Sequence, residues 1–310
     1  MIELIGAPFD LCGFRPGSRL GPAALRFAGL PEALRDMGLD VIDGGDIDAD
    51  LTPNLAEGLR NFAPMLACVR TLRQRVSESL DAGHLPIMLG GEHTLAVASV
   101  SAALQHHGES LAVLWIDAHA DVNTPGGSVT GNLHGMPLAA LWGLPSEATG
   151  VRHEQWESLV TALGAAVLRP ERTAWYGLRD VDAAERPRLR GLPLTMHDID
   201  RFSVAATVQR LQLWLEKESI RKLWISFDVD VLDPILAPGT GTAVRGGLSY
   251  REAHLLAELL HESLRAAGTE LVGLDLVEVN PLVDRYNETA QIAVEWVASL
   301  FGKTILGSAT

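Results

Sequence analysis

Short apolar runs bounded by Gly, Pro or Asp alternate along this chain with longer segments in which apolar residues return every three or four positions. Runs of the first kind suit strands buried on both faces, and segments of the second kind suit helices that cover a sheet with one side. Strands are predicted at residues 2–5, 87–89, 111–116, 175–176, 223–227 and 271–276. Helices are predicted over 23–37, where Pro22 is placed for a helix start, and over 55–80, 95–106, 204–218, 250–267 and 289–301. The alternation predicts an α/β fold of three layers, with a central, mainly parallel sheet between helices. The least patterned stretch, 144–172, reads as a peripheral insertion. No linker, repeat or low-complexity tract interrupts the pattern, so a single domain over 1–310 is expected.

Composition narrows the class. With 310 residues, 47% hydrophobic and 21% charged, the chain can bury a large core, which excludes a disordered chain and a disulfide-stapled miniprotein. A formal charge of −14, from 39 acidic against 25 basic residues, argues against nucleic acid as a partner. Cys12 and Cys68 sit in no metal-ligand spacing and make no disulfide framework, which points to a reducing compartment. The first residues lack a basic segment followed by an apolar one, and no run approaches the roughly 20 apolar residues of a spanning helix. A soluble, cytoplasmic protein with no membrane partner is therefore expected.

Ionisable residues follow the predicted strands. Gly90-Gly91-Glu92-His93 comes after one, Asp117-Ala118-His119-Ala120-Asp121 after the next, then Asp180-Val181-Asp182, Asp228-Val229-Asp230 and Glu278. In an open parallel sheet the carboxyl ends of the strands face one crevice, where ligands bind. Residues two apart in extended chain point to one side, so Asp117, His119 and Asp121 can converge, as can Asp228 and Asp230. With His93 they make four carboxylates and two imidazoles. Such a set repels itself unless protons or cations neutralise it, and it is too large for one closed tetrahedral zinc. Two divalent ions sharing carboxylates fit better, and oxygen and nitrogen donors without thiolate favour manganese.

Single residues carry less. Asp180 and Asp233 are equally well read as cap or turn residues. His84, His106, His107, His153, His197, His254 and His261 read as ordinary solvated or satisfied histidines.

The motifs Gly-Gly-Glu-His at 90–93, Asp-Ala-His-Ala-Asp-Val-Asn at 117–123, Gly-Asn-Leu-His-Gly at 131–135, Ser-Phe-Asp-Val-Asp at 226–230 and Glu-Val-Asn-Pro at 278–281 resemble the ureohydrolase family, most closely its arginases. The resemblance runs in order from about Ile5, through Gly21-Pro22, to Phe301-Gly302. It implies an arginase-like αβα fold, two manganese(II) ions and hydrolysis of a guanidinium group to an amine and urea. It implies that His93, Asp117, Asp121 and Asp228 hold one ion and that Asp117, His119, Asp228 and Asp230 hold the other, with Asp117 and Asp228 shared. By the same resemblance a hydroxide bridging the ions attacks, Asp121 passes its proton to the leaving amine, His134 exchanges protons with solvent, and Glu278 pairs with the guanidinium. Thr242 falls at a position lining the same pocket.

The other end of the substrate decides its identity. Asn123 and Thr130 match family positions near an α-carboxylate, and Asp182 one near an α-amino group, which implies L-arginine converted to L-ornithine and urea. Agmatine and other guanidino acids are the alternative substrates, and a catalytically silent metal-binding relative is the alternative class. The sequence departs from the usual arginase pattern at Glu92, Thr130 and Val231, in the loop 10–22 and in the loop 126–129. The resemblance further implies a homo-oligomer, a trimer or hexamer.

Overall fold

Residues 1–54 and 56–306 are described by the computed structural model of the protein. Among them the strands are β1 (Ile2–Ala7), β2 (Val41–Asp46), β3 (Leu85–Gly90), β4 (Leu111–Ile116), β5 (Thr173–Leu178), β6 (Leu192–Thr195), β7 (Lys222–Asp228) and β8 (Glu270–Val277). They form one sheet in the order β2-β1-β3-β8-β7-β4-β5-β6, and every pairing is parallel. The helices are α1 (Gly21–Phe27), α2 (Leu30–Asp36), α3 (Phe62–Asp81), α4 (Ala96–His107), α5 (Pro137–Leu141), α6 (Val151–Leu163), α7 (Met196–Lys217), α8 (Tyr250–Ala267) and α9 (Glu288–Leu300).

The central strands are apolar throughout because both of their faces are covered. Along β4, Ala112, Leu114 and Ile116 pack on the side of α1, α2, α7, α8 and α9, whereas Leu111, Val113 and Trp115 pack on the side of α3 to α6. The period of two that defines a strand is thus present in space while hidden in the sequence. Helix α8 shows the opposite case, in which local signals suffice. The Ser249 hydroxyl accepts from the Glu252 N–H and the Glu252 carboxylate accepts from the Ser249 N–H, while Gly268 ends the helix in the left-handed region.

Where sequence and structure differ, the causes are local. The single helix expected over 23–37 is two, because Gly29 adopts φ 86, a conformation that breaks the helix and suits glycine, and Pro31 opens α2. The helix expected from Leu55 begins at Phe62, and Leu55 itself lies outside the described residues. The two strands with no sequence signal, β2 and β6, are the two edges of the sheet. Strand β2 is largely exposed and carries Asp43 and Asp46, both paired with Arg26, and β6 contains Pro193, so neither presents an apolar run.

The reading of 144–172 as a peripheral insertion is corrected. It contains α6, whose Trp156, Leu159 and Leu163 are buried, and Trp156 donates its indole N–H to the Leu144 carbonyl at 2.7 Å. Its buried residues are too few among polar ones to show a clear period. Among the described residues no helix is long and apolar enough to cross a membrane.

Candidate metal centre and substrate pocket

Strands β3, β8, β7 and β4 are successive neighbours at the middle of the sheet. The chain runs from β3 to β4 across the two places that β8 and β7 later fill, so four carboxyl ends that are distant in sequence open side by side. After β3, a Cβ on Gly91 would lie 1.9 Å from the Phe9 carbonyl oxygen. Glycine lets this turn pass against the loop that follows β1 and delivers His93 inward. Asp117 directly follows strand β4, and its N–H is held by the Tyr176 carbonyl at 3.0 Å.

His93 Nδ1 faces three carboxylates: Asp117 Oδ2 at 3.0 Å, Asp121 Oδ2 at 3.2 Å and Asp228 Oδ2 at 3.2 Å. His119 Nδ1 lies 3.0 Å from Asp230 Oδ2 and 3.3 Å from Asp117 Oδ1. Asp117 therefore offers one oxygen to each imidazole. Asp228 is placed differently, since its other oxygen accepts the Asp230 N–H at 2.8 Å. Its free oxygen joins the His93 group, and the second group consists of Asp117, His119 and Asp230. Asp121 reaches its position with φ 53, in the left-handed region that a residue with a side chain seldom adopts.

The electrostatics are those of a cation site. Burial first, and the Asp117 charge next, push the Asp121 carboxyl above the usual range. Burial followed by Asp230 and Asp117 does the same for Asp228, and burial followed by Asp117 for Asp230. Asp117 goes the other way: against burial, the imidazoles of His119 and His93 beside it hold it well below the usual range. His93 Nδ1 is buried with no hydrogen-bond partner although carboxylate oxygens surround it. A lone pair aimed at converging carboxylates, with no thiolate near, fits a hard or borderline divalent ion, and fixed positive charge would release the protons these carboxyls retain.

On the far side of the His93 backbone, Glu278 follows β8 with φ 62 and is buried. Its Oε1 accepts the His93 N–H at 3.2 Å and lies 3.5 Å from His134 Nδ1. His134 is half-buried, open to solvent on one side. Glu92, fully buried, stands close to both. Burial and then the Glu278 charge push its carboxyl well up, and it accepts from the Cys12 N–H and the Thr94 hydroxyl. Thr242 donates its hydroxyl to Asp230 Oδ2 at 2.9 Å.

Asn123 Nδ2 donates to Asp182 Oδ2 at 2.8 Å, which joins two of the expected substrate residues, and Asn123 Oδ1 is buried without a partner. Thr130, farther along the same segment, is exposed, and its hydroxyl oxygen accepts the Asn132 N–H. Asp180 is also exposed, 4.0 Å from His119 Nε2, and Asp233 acts as a turn residue, accepting from the N–H groups of Ile235, Gly246 and Gly247.

Three supporting residues gave no signal as single letters in the sequence. Ser226 meets His93 Nε2 at 2.9 Å. Glu185 is buried, and its carboxylate accepts from the N–H groups of Val122 at 2.9 Å and Asp182 at 3.0 Å, while burial pushes its pKa up to about 7. Among the described residues Arg179 has no carboxylate within 4 Å. Its guanidinium donates to the carbonyls of Asp230, Val231, Leu232 and Val244, clamping the turn that follows β7.

Comparison with known proteins finds similar chains over nearly the whole length. The sequence profile described as the Arginase family matches residues 1–302. The arginase of Staphylococcus aureus (strain MSSA476) is 40% identical over 314 aligned positions, covering 98% of each chain. The crystal structure of arginase from Bacillus subtilis superposes with a TM-score of 0.85 at 38% identity, covering 98% of this chain and 99% of that one. The arginase from Bacillus caldovelox does so with a TM-score of 0.87 at 36% identity and the same coverage.

Proposed function

The chain belongs to the arginase family, and we propose that it hydrolyses the guanidinium group of L-arginine to L-ornithine and urea with two manganese(II) ions as cofactors. The observation that carries this reading is the double cluster around Asp117, with one oxygen toward His93 and the other toward His119. His93, Asp117, Asp121 and Asp228 would hold one ion, and Asp117, His119 and Asp230 the other, with Asp228 shared if its second oxygen turns from the Asp230 N–H. When bound, the ions supply a nucleophile at neutral pH by lowering the pKa of water from about 15.7 toward about 7.

The chain's own residues do the rest. The buried Glu278 carboxylate offers the guanidinium a charge-assisted pair and, anchored by the His93 N–H, holds it beside the cluster. Asp121, one of the carboxylates that converge on the cluster, takes the proton lost by the attacking water and gives it to the departing amine. His134, between Glu278 and solvent, returns protons to the bulk. At the far end the Asp182 carboxylate accepts from the substrate's α-ammonium group, and the second N–H of the Asn123 side-chain amide donates to its α-carboxylate. Thr130, exposed and bearing a hydroxyl, is the further donor offered to that α-carboxylate.

A homo-oligomer in the cytoplasm completes the proposal. Phe27, Ile235, Leu282 and Tyr286 are each more than 60% exposed, and the turn carrying Leu282 and Tyr286 bonds to both other segments through Arg285 and Asn287. An apolar face of this kind suits self-association. Cys12 and Cys68 are unpaired and buried, as suits a reducing compartment.

A urea-release panel of L-arginine, agmatine and guanidino acids, run with added manganese and with metal analysis of the same sample, tests the reading. L-arginine should be the best substrate. Absence of urea from every compound, with both ions bound, would show a silent relative instead.

A further inference from the structure

Strand β8 carries a buried carboxylate that none of the steps above uses. Leu274 and Leu276 pack on the side of α7, α8 and α9, and Asp275 between them points the other way, into the layer where Trp224 is buried. Asp275 is completely buried, and among the described residues no Lys or Arg lies within 4 Å of it. Its Oδ2 accepts the Trp224 indole N–H at 2.9 Å, whereas Oδ1 is buried without a hydrogen bond. A carboxylate held this way costs the fold stability, so packing alone does not account for it.

Across the strand pair Asp275 is in register with Ser226, whose hydroxyl meets His93 Nε2 at 2.9 Å. Burial pushes the Asp275 carboxyl up to about 6, and the Trp224 indole and the hydroxyls of Ser99 and Ser226 beside it oppose that rise, so it is an ionised acceptor at neutral pH. Ser99 donates to the Ala96 carbonyl at 3.3 Å, which leaves the Ser226 proton for Oδ1. On the reading proposed for the metal centre, His93 Nδ1 holds an ion and carries no proton. The imidazole proton then sits on Nε2 and is donated to Ser226, whose own proton must turn elsewhere. We propose that Asp275 accepts it, as a positioning residue that fixes the His93 tautomer through Ser226 from behind the metal centre. Asp275 itself touches neither ion nor substrate.

Manganese affinity of the full-length protein, measured in competition with a chelator, tests this. Asp275→Asn keeps the shape but has a single accepting oxygen. With that oxygen on the Trp224 indole, the amide N–H faces Ser226, turns its hydroxyl toward His93 Nε2 and leaves the imidazole proton on Nδ1, where the ion belongs. The variant should bind manganese about 10- to 100-fold more weakly. Ser226→Ala interrupts the path at its middle, so adding Asp275→Asn to it should weaken binding by less than about a further threefold. If Asp275→Asn does not fold, Asp275→Ala, which removes the acceptor and the buried charge together, takes its place in both comparisons. Additive losses in the double variant would overturn the path through Ser226. Full affinity in Asp275→Asn, with a lowered unfolding midpoint in urea, would assign Asp275 to the fold instead. No manganese bound by the parent protein would overturn the metal centre and this role with it, whereas equal binding by parent and Asp275→Asn would overturn this role alone.

Discussion

His93 Nε2 lies 2.9 Å from the Ser226 hydroxyl, while the other nitrogen of the same ring faces the carboxylates of Asp117, Asp121 and Asp228. A proton on Nε2, donated to Ser226, leaves the Nδ1 lone pair free for a ligand role. The indole of Trp115 stacks on the ring at 4.0 Å and donates to Asp117 Oδ2 at 2.9 Å, so tautomer and ring plane are fixed together. Ser226→Ala should weaken metal binding by about 10- to 100-fold in competition with a chelator, and Ser226→Thr should restore most of it. Affinity unchanged in the alanine variant would remove Ser226 from this role.

Metal occupancy should rise with pH. Asp121, Asp228 and Asp230 each hold their protons to a higher pH than free carboxylates, so the metal-free site is more protonated than its composition suggests. An incoming ion must displace those protons, which makes binding tighter as they are lost and weaker as they return. Dialysis against chelator should strip the protein faster at about pH 6 than at about pH 8, and adding manganese to metal-free protein in weak buffer should acidify it. Equal rates of loss at the two values would contradict the protonated site.

Asp182→Ala should separate the two ends of the substrate. The lost carboxylate is worth about 1.5–3 kcal/mol as a charge-assisted partner, so kcat/KM for L-arginine should fall by about 10- to 150-fold, mostly through KM. 5-Guanidinopentanoate, which keeps the guanidinium and carboxylate of L-arginine but lacks its α-amino group, should change by less than about threefold. Equal losses for the two substrates would remove Asp182 from α-amino recognition.

Arg179→Lys should act on structure first. Lysine keeps the charge but cannot reach the carbonyls of Asp230, Val231, Leu232 and Val244 as one planar fork does. A loss of about 2–4 kcal/mol in stability is expected, together with weaker metal binding because Asp230 sits in the clamped turn. Unchanged unfolding midpoints in urea would show that the clamp is dispensable.

Legibility in the sequence followed burial. Strands β4 and β7, covered on both faces, are continuous apolar runs that end in acidic motifs, so both strand and ligands could be read together. The edges β2 and β6 could not, because one side of each is unpaired and their residues are chosen for solvent or for ion pairs such as Arg26 with Asp43. Within the site, paired motifs such as Asp117-x-His119-x-Asp121 carry their own geometry. Arg179, Glu185 and Ser226 act through backbone groups or a second side chain brought from elsewhere in the chain, and no spacing announces such partners. Asp228 shows the limit of motif reading: its residue type was legible, but the commitment of one oxygen to the Asp230 N–H was not.

The left-handed backbone at Asp121 and Glu278 sets function against durability. A side chain held in that conformation costs the fold about 1–2 kcal/mol that glycine or asparagine would largely recover. Screening variants for heat resistance alone would therefore tend to enrich replacements at these two positions, and the hardier proteins so obtained would have lost the proton carrier and the guanidinium anchor together.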